Sequence, residues 1–232
     1  MKYPSPLVEG RFVRRYKRFF ADVELEGLGV VTAHCANTGA MTACVEPGSP
    51  VRLSPSDNPR RKLAWSLEQS CVGGQWILVH TGRPNRIVRE AIVAGRVPEL
   101  SGYATVESEK RAGESRLDLL LSHPGRRSAW VEVKNVTMLD PDGVLRFPDA
   151  VTARGARHLE ALKTQVEDGD RAVLFLHVGH SGGARVEPAR AVDPAWAMAL
   201  ERAMEAGVEV IAHRVRLSAD QAVLAEAIPF TL

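Results

Sequence analysis

The sequence predicts an α/β (α+β) protein of two domains: a small β-barrel at residues 1–82 and a mixed-sheet domain at residues 83–232. In the first eighty residues, short apolar runs alternate with clusters of Gly, Pro, Ser and Asn, and helical periodicity is hardly visible. This pattern favours a small barrel. From residue 84 onward the segments follow the order helix, three strands, helix, strand, helix, strand, which is typical of a mixed sheet covered by helices.

The individual elements follow from periodicity and turn residues. The first predicted helix has Ile87, Ala91 and Ala94 on one face and stops at Gly95, and Asp149 lies just before the second helix as a capping residue. We expect helices at 84–95, 151–167 and 194–206. We expect strands at 18–25, 29–35, 51–53, 76–79, 103–110, 116–121, 129–136, 171–178 and 208–215.

Composition excludes several classes of protein. With 45% hydrophobic and 25% charged residues among 232, the chain is ordinary for a globular protein. It has no apolar run long enough to span a bilayer, and its N-terminus lacks the apolar core of a signal peptide, so we expect a cytoplasmic protein. Three cysteines without CxxC spacing argue against a disulfide framework and a zinc knuckle, so we expect buried thiols.

Charge is distributed unevenly along the chain. Residues 1–96 carry 14 Lys and Arg against 8 Asp and Glu, whereas residues 97–232 carry 16 against 20. A basic N-terminal part can attract a polyanion, although solvated surface charge would give the same count.

The residues that predict chemistry are Asp118, Glu132 and Lys134. Side chains alternate along a strand, so Glu132 and Lys134 share one face, and Asp118 can lie beside Glu132 if the two strands pair. Two carboxylates at this position form an oxygen site suited to Mg²⁺ or Mn²⁺. A lysine ammonium nearby can orient or help to deprotonate the attacking water and can offset the charge that develops on a phosphate. The alternative is a cross-strand ion pair on an exposed sheet face.

This D…ExK pattern, on the second and third strands of an α-β-β-β-α-β order, resembles the PD-(D/E)xK nuclease superfamily. The resemblance implies a metal-dependent nuclease site with Asp118, Glu132 and Lys134 as catalytic residues and Asp118 and Glu132 as metal ligands. Glu90, on the preceding helix, fits the extra acidic position of many members, and Glu109 is a further candidate carboxylate.

Several basic residues are candidates for contact with nucleic acid. Residues 11–20 interleave basic and aromatic side chains, which can provide phosphate contacts and stacking surfaces; a strand with core aromatics and solvated cations is the alternative. Near the start of the long helix predicted at 151–167, Arg154, Arg157 and His158 project from one side and could approach a phosphate, although a lone helical histidine is more often structural. The predicted nucleic-acid contacts are Arg11, Arg14, Arg15, Lys17, Arg18, Arg60, Arg61, Lys62, Arg154, Arg157 and His158.

Five stretches of the sequence together resemble the sugar fermentation stimulation protein (SfsA) family. They run in order across nearly the whole chain and are far more specific than the ExK pattern. The stretches are residues 37–39 (NTG), 54–62 (SPSDNPRRK), 84–86 (PNR), 131–137 (VEVKNVT) and 147–155 (FPDAVTARG).

The resemblance implies a bacterial or archaeal DNA-binding protein with an N-terminal OB-like barrel and a PD-(D/E)xK nuclease-like C-terminal domain. It also implies a link to maltose metabolism and sugar fermentation genes. The sequence departs from the family pattern at Ala40, where we expect Arg, and at Ala112, where we expect Tyr. These departures spare Asp118, Glu132 and Lys134.

Two functions therefore stay open. The protein is either a divalent-metal-dependent nuclease or a non-catalytic DNA-binding regulator of sugar (maltose) metabolism genes. The two carboxylates favour the nuclease, because clustered acids repel a polyanion unless a cation lies between them. A sugar-metabolism enzyme has no supporting motif, since the chain has no phosphate-cradling loop of the GxxxxGK type.

Overall fold

The N-terminal part of the protein folds as a closed barrel in a computed structural model that describes residues 1–41 and 43–232. Its strands are β1 (Val8–Tyr16), β2 (Phe20–Leu25), β3 (Gly29–His34), β4 (Pro50–Pro55), β5 (Trp65–Val72) and β6 (Gln75–Leu78). They pair in the order β3-β2-β1-β4-β5-β6, and an additional parallel pairing of β3 with β5 closes five of them into a barrel. Inward-facing apolar side chains such as Phe12, Val23, Leu53 and Leu67 fill the barrel core.

The second domain is built on a six-stranded mixed sheet. Its elements are α1 (Pro84–Val93), a 3-10 turn (Pro98–Leu100), β7 (Thr105–Ala112), β8 (Ser115–His123), β9 (Arg126–Val136), β10 (Met138–Leu139), β11 (Val144–Phe147), α2 (Ala153–Glu167), β12 (Arg171–Val178), β13 (Arg185–Pro188), α3 (Pro194–Glu205), β14 (Glu209–Leu217) and β15 (Ala222–Ala227). The large sheet has the order β15-β14-β12-β9-β8-β7, with β12 parallel to both β9 and β14. Strands β10, β11 and β13 form a separate small sheet.

Helices cover both faces of the large sheet. Helix α1 packs on one face against residues such as Val131 and Phe175. Helices α2 and α3 pack on the other face, where Leu159, Leu162 and Trp196 are buried. This arrangement confirms the predicted fold class, a small barrel followed by a mixed-sheet domain.

The first seven residues pack on the second domain, although the predicted boundary places them in the barrel domain. Met1, Tyr3 and Leu7 are buried in the cluster that contains α1 and β15, not in the barrel core. The amino group of Met1 also donates to the carbonyl of Ala222 at 2.8 Å. Residues 1–7 therefore pack on the second domain, and the barrel starts at β1.

Several elements differ from the sequence expectations. Strands β5, β10, β11, β13 and β15 have no counterpart among the expected strands, whereas β1 includes residues 11–16 of the stretch for which a strand was the alternative interpretation. Helix α2 is capped by Thr152, whose side chain accepts a hydrogen bond from the backbone N–H of Gly155, and not by Asp149. The buried state of Cys35, Cys44 and Cys71 agrees with prediction. In the described part of the chain, none of the helices has the length and apolar character needed to cross a membrane.

Candidate metal centre

Two carboxylates, Asp118 and Glu132, lie on the neighbouring antiparallel strands β8 and β9. Both oxygens of Asp118 accept hydrogen bonds. Its Oδ1 accepts from Asn85 Nδ2 at 2.6 Å, and its Oδ2 accepts from the backbone N–H of Val133 at 2.8 Å. Helix α1 and strand β9 thus hold Asp118 in one orientation.

Glu132 is 2% exposed and uses its two oxygens differently. Its Oε1 accepts from Lys134 Nζ at 2.6 Å and also contacts His158 Nδ1. Its Oε2 is buried and has no hydrogen-bond partner among the described residues. Lys134 reaches Glu132 because residues two apart on a strand point to the same face.

Helix α2 brings His158 to this pair of carboxylates. His158 Nε2 lies 3.4 Å from Arg154 Nε, one helical turn away. Because the guanidinium can only donate, His158 Nε2 is the acceptor of this contact whenever the ring is neutral. Arg154 therefore helps to define the orientation of His158.

The pKa values of the two carboxyl groups are shifted in opposite directions. Burial, together with the charge of Glu132, raises the pKa of Asp118 to about 6. Burial also acts to raise the pKa of Glu132, but the hydrogen bonds and charges of His158 and Lys134 outweigh it and lower that pKa. Glu132 is therefore ionised at neutral pH, and Asp118 is the acid that takes up a proton as the pH falls.

The donor set fits a hard divalent cation. Carboxylate oxygens are the ligands that Mg²⁺ prefers, and Mg²⁺ is often held by one or two carboxylates, with water and substrate phosphate supplying the rest. Glu132 Oε2 is a buried acceptor that receives no donor from residues 1–41 and 43–232, which is costly unless a cation or another group satisfies it. Among residues 1–41 and 43–232, no group of three His, Cys, Asp or Glu side chains could hold a metal ion. A cation at this site would therefore meet two carboxylates, and water or phosphate would have to complete its coordination.

The structure does not bring Glu90 into this group. Its carboxylate pairs with the amino group of Met1 at 3.0 Å and with Arg86 at 2.7 Å. Its role as a metal ligand stays a prediction that these contacts do not support. Glu109 is exposed and pairs with Arg116 at 3.2 Å on the β7–β8 hairpin.

The basic residues of β1 have different environments. Arg11 is exposed and donates to the carbonyl of Gly48. Arg14 pairs with Asp22 at 2.8 Å but its side chain stays 70% exposed, whereas Arg15 is half-buried and donates to the carbonyls of residues 18, 37 and 39. Lys17 and Arg18 form the exposed turn between β1 and β2. Of these five residues, all but Arg15 are exposed.

The other predicted nucleic-acid contacts fall in three places. Arg60, Arg61 and Lys62 lie on the exposed loop between β4 and β5, where Arg61 donates to Ser66 Oγ at 3.0 Å. Arg154 and His158 adjoin Glu132, as described above. Arg157 instead lines a cavity between α2, α3 and the β7–β8 hairpin.

Sequence reasoning missed Asn85 as a site residue. It occupies the first turn of α1, and only the packing of that helix on the sheet brings its amide to Asp118. The signal available was a polar side chain in a PNR stretch at the start of a helix, which by itself also fits ordinary helix initiation.

Comparison with known proteins identifies the family of the chain. A family model described as "Sugar fermentation stimulation protein RE domain" matches residues 82–221, and a second, "SfsA N-terminal OB domain", matches residues 13–79. The sugar fermentation stimulation protein homolog of Geobacter sulfurreducens is 49% identical over 230 residues, covering 99% of this chain and 98% of the relative. That of Acidithiobacillus ferrooxidans is 47% identical over 225 residues, 97% of each chain.

A solved structure has the same fold over its whole length. The structure of Pyrococcus furiosus SfsA in complex with Ca²⁺ matches with a TM-score of 0.89 and 27% sequence identity, covering 100% of this chain and 98% of that chain. The barrel is therefore an OB domain, and the resemblance drawn from the five sequence stretches is confirmed. The chain belongs to the sugar fermentation stimulation protein (SfsA) family.

Proposed function

We propose that this protein is a DNA-binding, divalent-metal-dependent nuclease that hydrolyses phosphodiester bonds at Asp118, Glu132 and Lys134, with Mg²⁺ or Mn²⁺ as the metal. One observation carries the proposal. A buried carboxylate, Glu132, has one oxygen for which the described residues provide no hydrogen-bond donor, and it lies beside a second carboxylate, Asp118. A surface ion pair, the alternative interpretation of these residues, would be solvated and would leave no buried acceptor unsatisfied.

Each residue would have a defined part in the reaction. A divalent cation at this site would polarise the scissile phosphate and lower the pKa of water. Asp118 and Glu132 would hold it, and the Lys134 ammonium would offset charge that develops on the phosphate. Asn85 and His158 would fix the orientations of the two carboxylates, as residues around metal ligands commonly do. Arg154, at the exposed start of α2, would contact a neighbouring phosphate.

The comparisons support parts of this proposal. One matched family model carries the description RE domain, and a relative with the same fold is in complex with Ca²⁺, another hard divalent cation. An OB domain commonly binds oligonucleotides. The excess of basic residues in the N-terminal part, 14 against 8 acidic ones in residues 1–96, suits a polyanionic partner.

A cleavage assay tests the proposal. Labelled single- and double-stranded DNA and RNA would be incubated with the protein and Mg²⁺, Mn²⁺ or EDTA. We expect metal-dependent cleavage that falls at least about a hundredfold in Asp118→Asn, Glu132→Gln and Lys134→Ala, since each removes a ligand or the cation beside the phosphate. Glu114→Gln, an exposed acid in the β7–β8 turn, is the matched control and should cleave normally.

The same assay distinguishes the nuclease from the second candidate function, a non-catalytic regulator. A non-catalytic DNA-binding regulator would cut no substrate with either metal, yet would bind DNA in a salt-dependent manner that the three variants retain. That result would refute the nuclease and leave a binding protein.

A further inference from the structure

A cavity of about 460 Å³ opens on the barrel where β2 and β3 meet the loop that precedes β5. Its lining includes Phe20, His34, Arg61, Lys62, Ser66 and His80. Phe20 and His34 face each other across the β2–β3 pairing, and Arg61 and Lys62 are exposed at the rim. The described lining residues include two permanent cations and no carboxylate, a composition that suits a phosphate-bearing ligand.

Aromatic rings stand beside those cations. Phe20 is half-buried, and its ring centroid lies 5.3 Å from that of Tyr16, which limits its motion. Phe19, the next residue along the turn from Lys17 and Arg18, is 49% exposed. Exposed aromatic faces among basic side chains are the elements on which unpaired bases stack.

His80 adds a neutral polar group to the cavity. Burial lowers the pKa of His80, so the ring is uncharged near neutral pH. Its Nδ1 accepts the backbone N–H of Gly82 at 3.1 Å, which leaves Nε2 with the proton. The ring can therefore donate a hydrogen bond to a ligand without attracting it by charge.

The chain leads directly from this cavity to the metal centre. The residues after His80, Thr81 and Gly82, are exposed and line a second, larger cleft of about 940 Å³ between α1 and β7. Asn85, which donates to Asp118, lines the same cleft. Asn85 lies five positions after His80, a span of at most about 18 Å.

The cleft also contains cations that could contact phosphates. Arg86, Arg89 and Lys110 line it, together with two carboxylates of β7. Those carboxylates are partly neutralised, since Glu107 pairs with Lys110 at 2.6 Å and Glu109 pairs with Arg116.

We propose that the barrel cavity and the α1–β7 cleft form one track for single-stranded DNA, which stacks a base on Phe20 and passes residues 80–85 to reach Asp118. Arg61 and Lys62 contact the phosphates of the bound strand. A single strand is the occupant because its bases expose their faces to aromatic side chains, whereas duplex bases are already stacked on each other. That the track leads to Asp118 rests on the proposed nuclease function. Binding of DNA within the track requires no metal.

Fluorescence anisotropy in EDTA measures the binding of DNA to the track in the absence of catalysis. The probes are a labelled 12-nucleotide DNA strand and the same strand annealed to its complement. We expect tighter binding of the single strand. Phe20→Leu, which keeps an apolar side chain but removes the aromatic face, should weaken single-strand binding about tenfold, and Phe20→Trp should restore it. Leu28→Ala, at an exposed apolar residue of the β2–β3 turn, is the control and should bind normally.

Phosphate contacts of Arg61 and Lys62 would show in the salt dependence of binding. The double variant Arg61→Ala/Lys62→Ala should reduce the slope of log K against log salt by about 1.4, since each phosphate contact on a single strand contributes about 0.7. The double variant Arg96→Ala/Arg127→Ala removes the same charge from exposed positions outside the two cavities and should leave the slope unchanged. Phe20→Leu should leave the slope unchanged as well, because stacking releases no counterions.

Crosslinking in EDTA tests the continuity of the track. Strands with 5-iodouracil at successive positions should crosslink to the barrel cavity from one position and to α1 or β7 from positions a few nucleotides away. Preferential duplex binding, an unaltered Kd in folded Phe20→Leu, or crosslinks confined to the barrel would each overturn the proposal. Absence of cleavage by wild-type protein in the separate metal assay would refute the nuclease and leave these binding results intact.

Discussion

Asp118 is the residue at which burial, charge and the proposed metal binding are most closely linked. Its carboxyl group lies beside the ionised Glu132, and burial together with that charge outweighs the hydrogen bonds and the Lys134 charge, so that its pKa rises to about 6. A divalent cation between the two acids would reverse that cost, because it attracts both carboxylates in their charged forms.

Metal affinity should therefore depend on pH. Titration calorimetry with Mn²⁺ or Ca²⁺ should show affinity that increases as the pH rises through about 6 and levels off above it, because the cation displaces one proton from Asp118. Asp118→Asn should lose most of the affinity at every pH. Wild-type affinity that is constant between pH 5 and pH 8 would contradict the assignment of Asp118 as a ligand.

The same shift has the opposite consequence for the metal-free protein. Because the pKa of Asp118 in the folded protein, about 6, exceeds the ordinary aspartate pKa of 3.8, the contribution of Asp118 to stability is complete below about pH 4 and is lost as the pH rises through about 6. Asp118→Asn loses one hydrogen-bond acceptor at every pH but removes the ionisation, so its stability relative to the metal-free wild type should improve between pH 4 and pH 7.5, on the order of 1–2 kcal/mol after allowance for solvent screening. Urea denaturation in EDTA at the two pH values measures this change. An equal stability difference between variant and wild type at pH 4 and pH 7.5 would show that the effect does not come from ionisation.

Asn85 should influence the metal site without binding the metal. Asn85→Leu keeps the volume but removes the amide that donates to Asp118, so metal affinity should fall by about tenfold or more. Arg89→Leu, one turn along the same helix and exposed, is the control and should bind metal normally. Equal loss in both variants would mean that α1 itself had moved.

At the scale of elements, the start of α2 determines where Arg154 and His158 lie. The side chain of Thr152 caps the helix, and Asp193, itself the N-cap of α3, accepts the backbone N–H of Thr152 at 2.8 Å. A Cβ on Gly155 would lie 2.7 Å from Thr152 Cγ2 and 3.1 Å from Trp196 Cδ1. The two helices therefore meet closely at this point, and the position of His158 follows from that contact.

Removal of the cap should cost stability. Thr152→Ala should lower the free energy of unfolding by about 1 kcal/mol, because the backbone N–H of Gly155 loses its acceptor. Thr152→Ser keeps the hydroxyl oxygen and should lose much less. Chemical denaturation of the three proteins compares them, and an equal loss in Ser and Ala variants would assign the effect to the methyl group.

At the scale of the whole molecule, a buried ion pair joins the barrel to the second domain. Glu68 of β5 is fully buried and pairs with Arg83, the residue immediately before α1, while Ser54 of β4 also donates to it. The backbone carbonyl of Glu68 accepts from Val79 and His80 in the connecting segment. The orientation of α1, and with it Asn85, thus depends on a barrel residue.

Glu68→Gln should destabilise the protein by a few kcal/mol, since Arg83 would keep its charge in a largely buried place without a counterion. Glu46→Gln changes an exposed acid in the loop before β4 and should be nearly neutral. Thermal unfolding distinguishes the two variants. Matching melting temperatures would show that the pair contributes no net stability.

The failure of sequence reasoning to find strand β5 has a physical cause. Strand β5 contains Glu68, Gln69 and Ser70, which are each fully buried although a polar run is unlike a core strand. They are tolerated because partners from distant segments satisfy them: Arg83 for Glu68, Tyr3 and the carbonyl of Ser218 for Gln69, and the carbonyl of Cys44 for Ser70. A local pattern carries no information about such partners.

The sequence by itself determined the family, the two-domain architecture and the face of the strand on which Glu132 and Lys134 lie, because strand alternation is a local property of the chain. Only the tertiary structure decided which residues surround that pair. It brought Asn85 and His158 to the carboxylates and kept Glu90 with Met1 and Arg86. The physical reason is that contacts between elements depend on how helices pack across the sheet, and small rotations of a helix decide which of its polar side chains reaches the site.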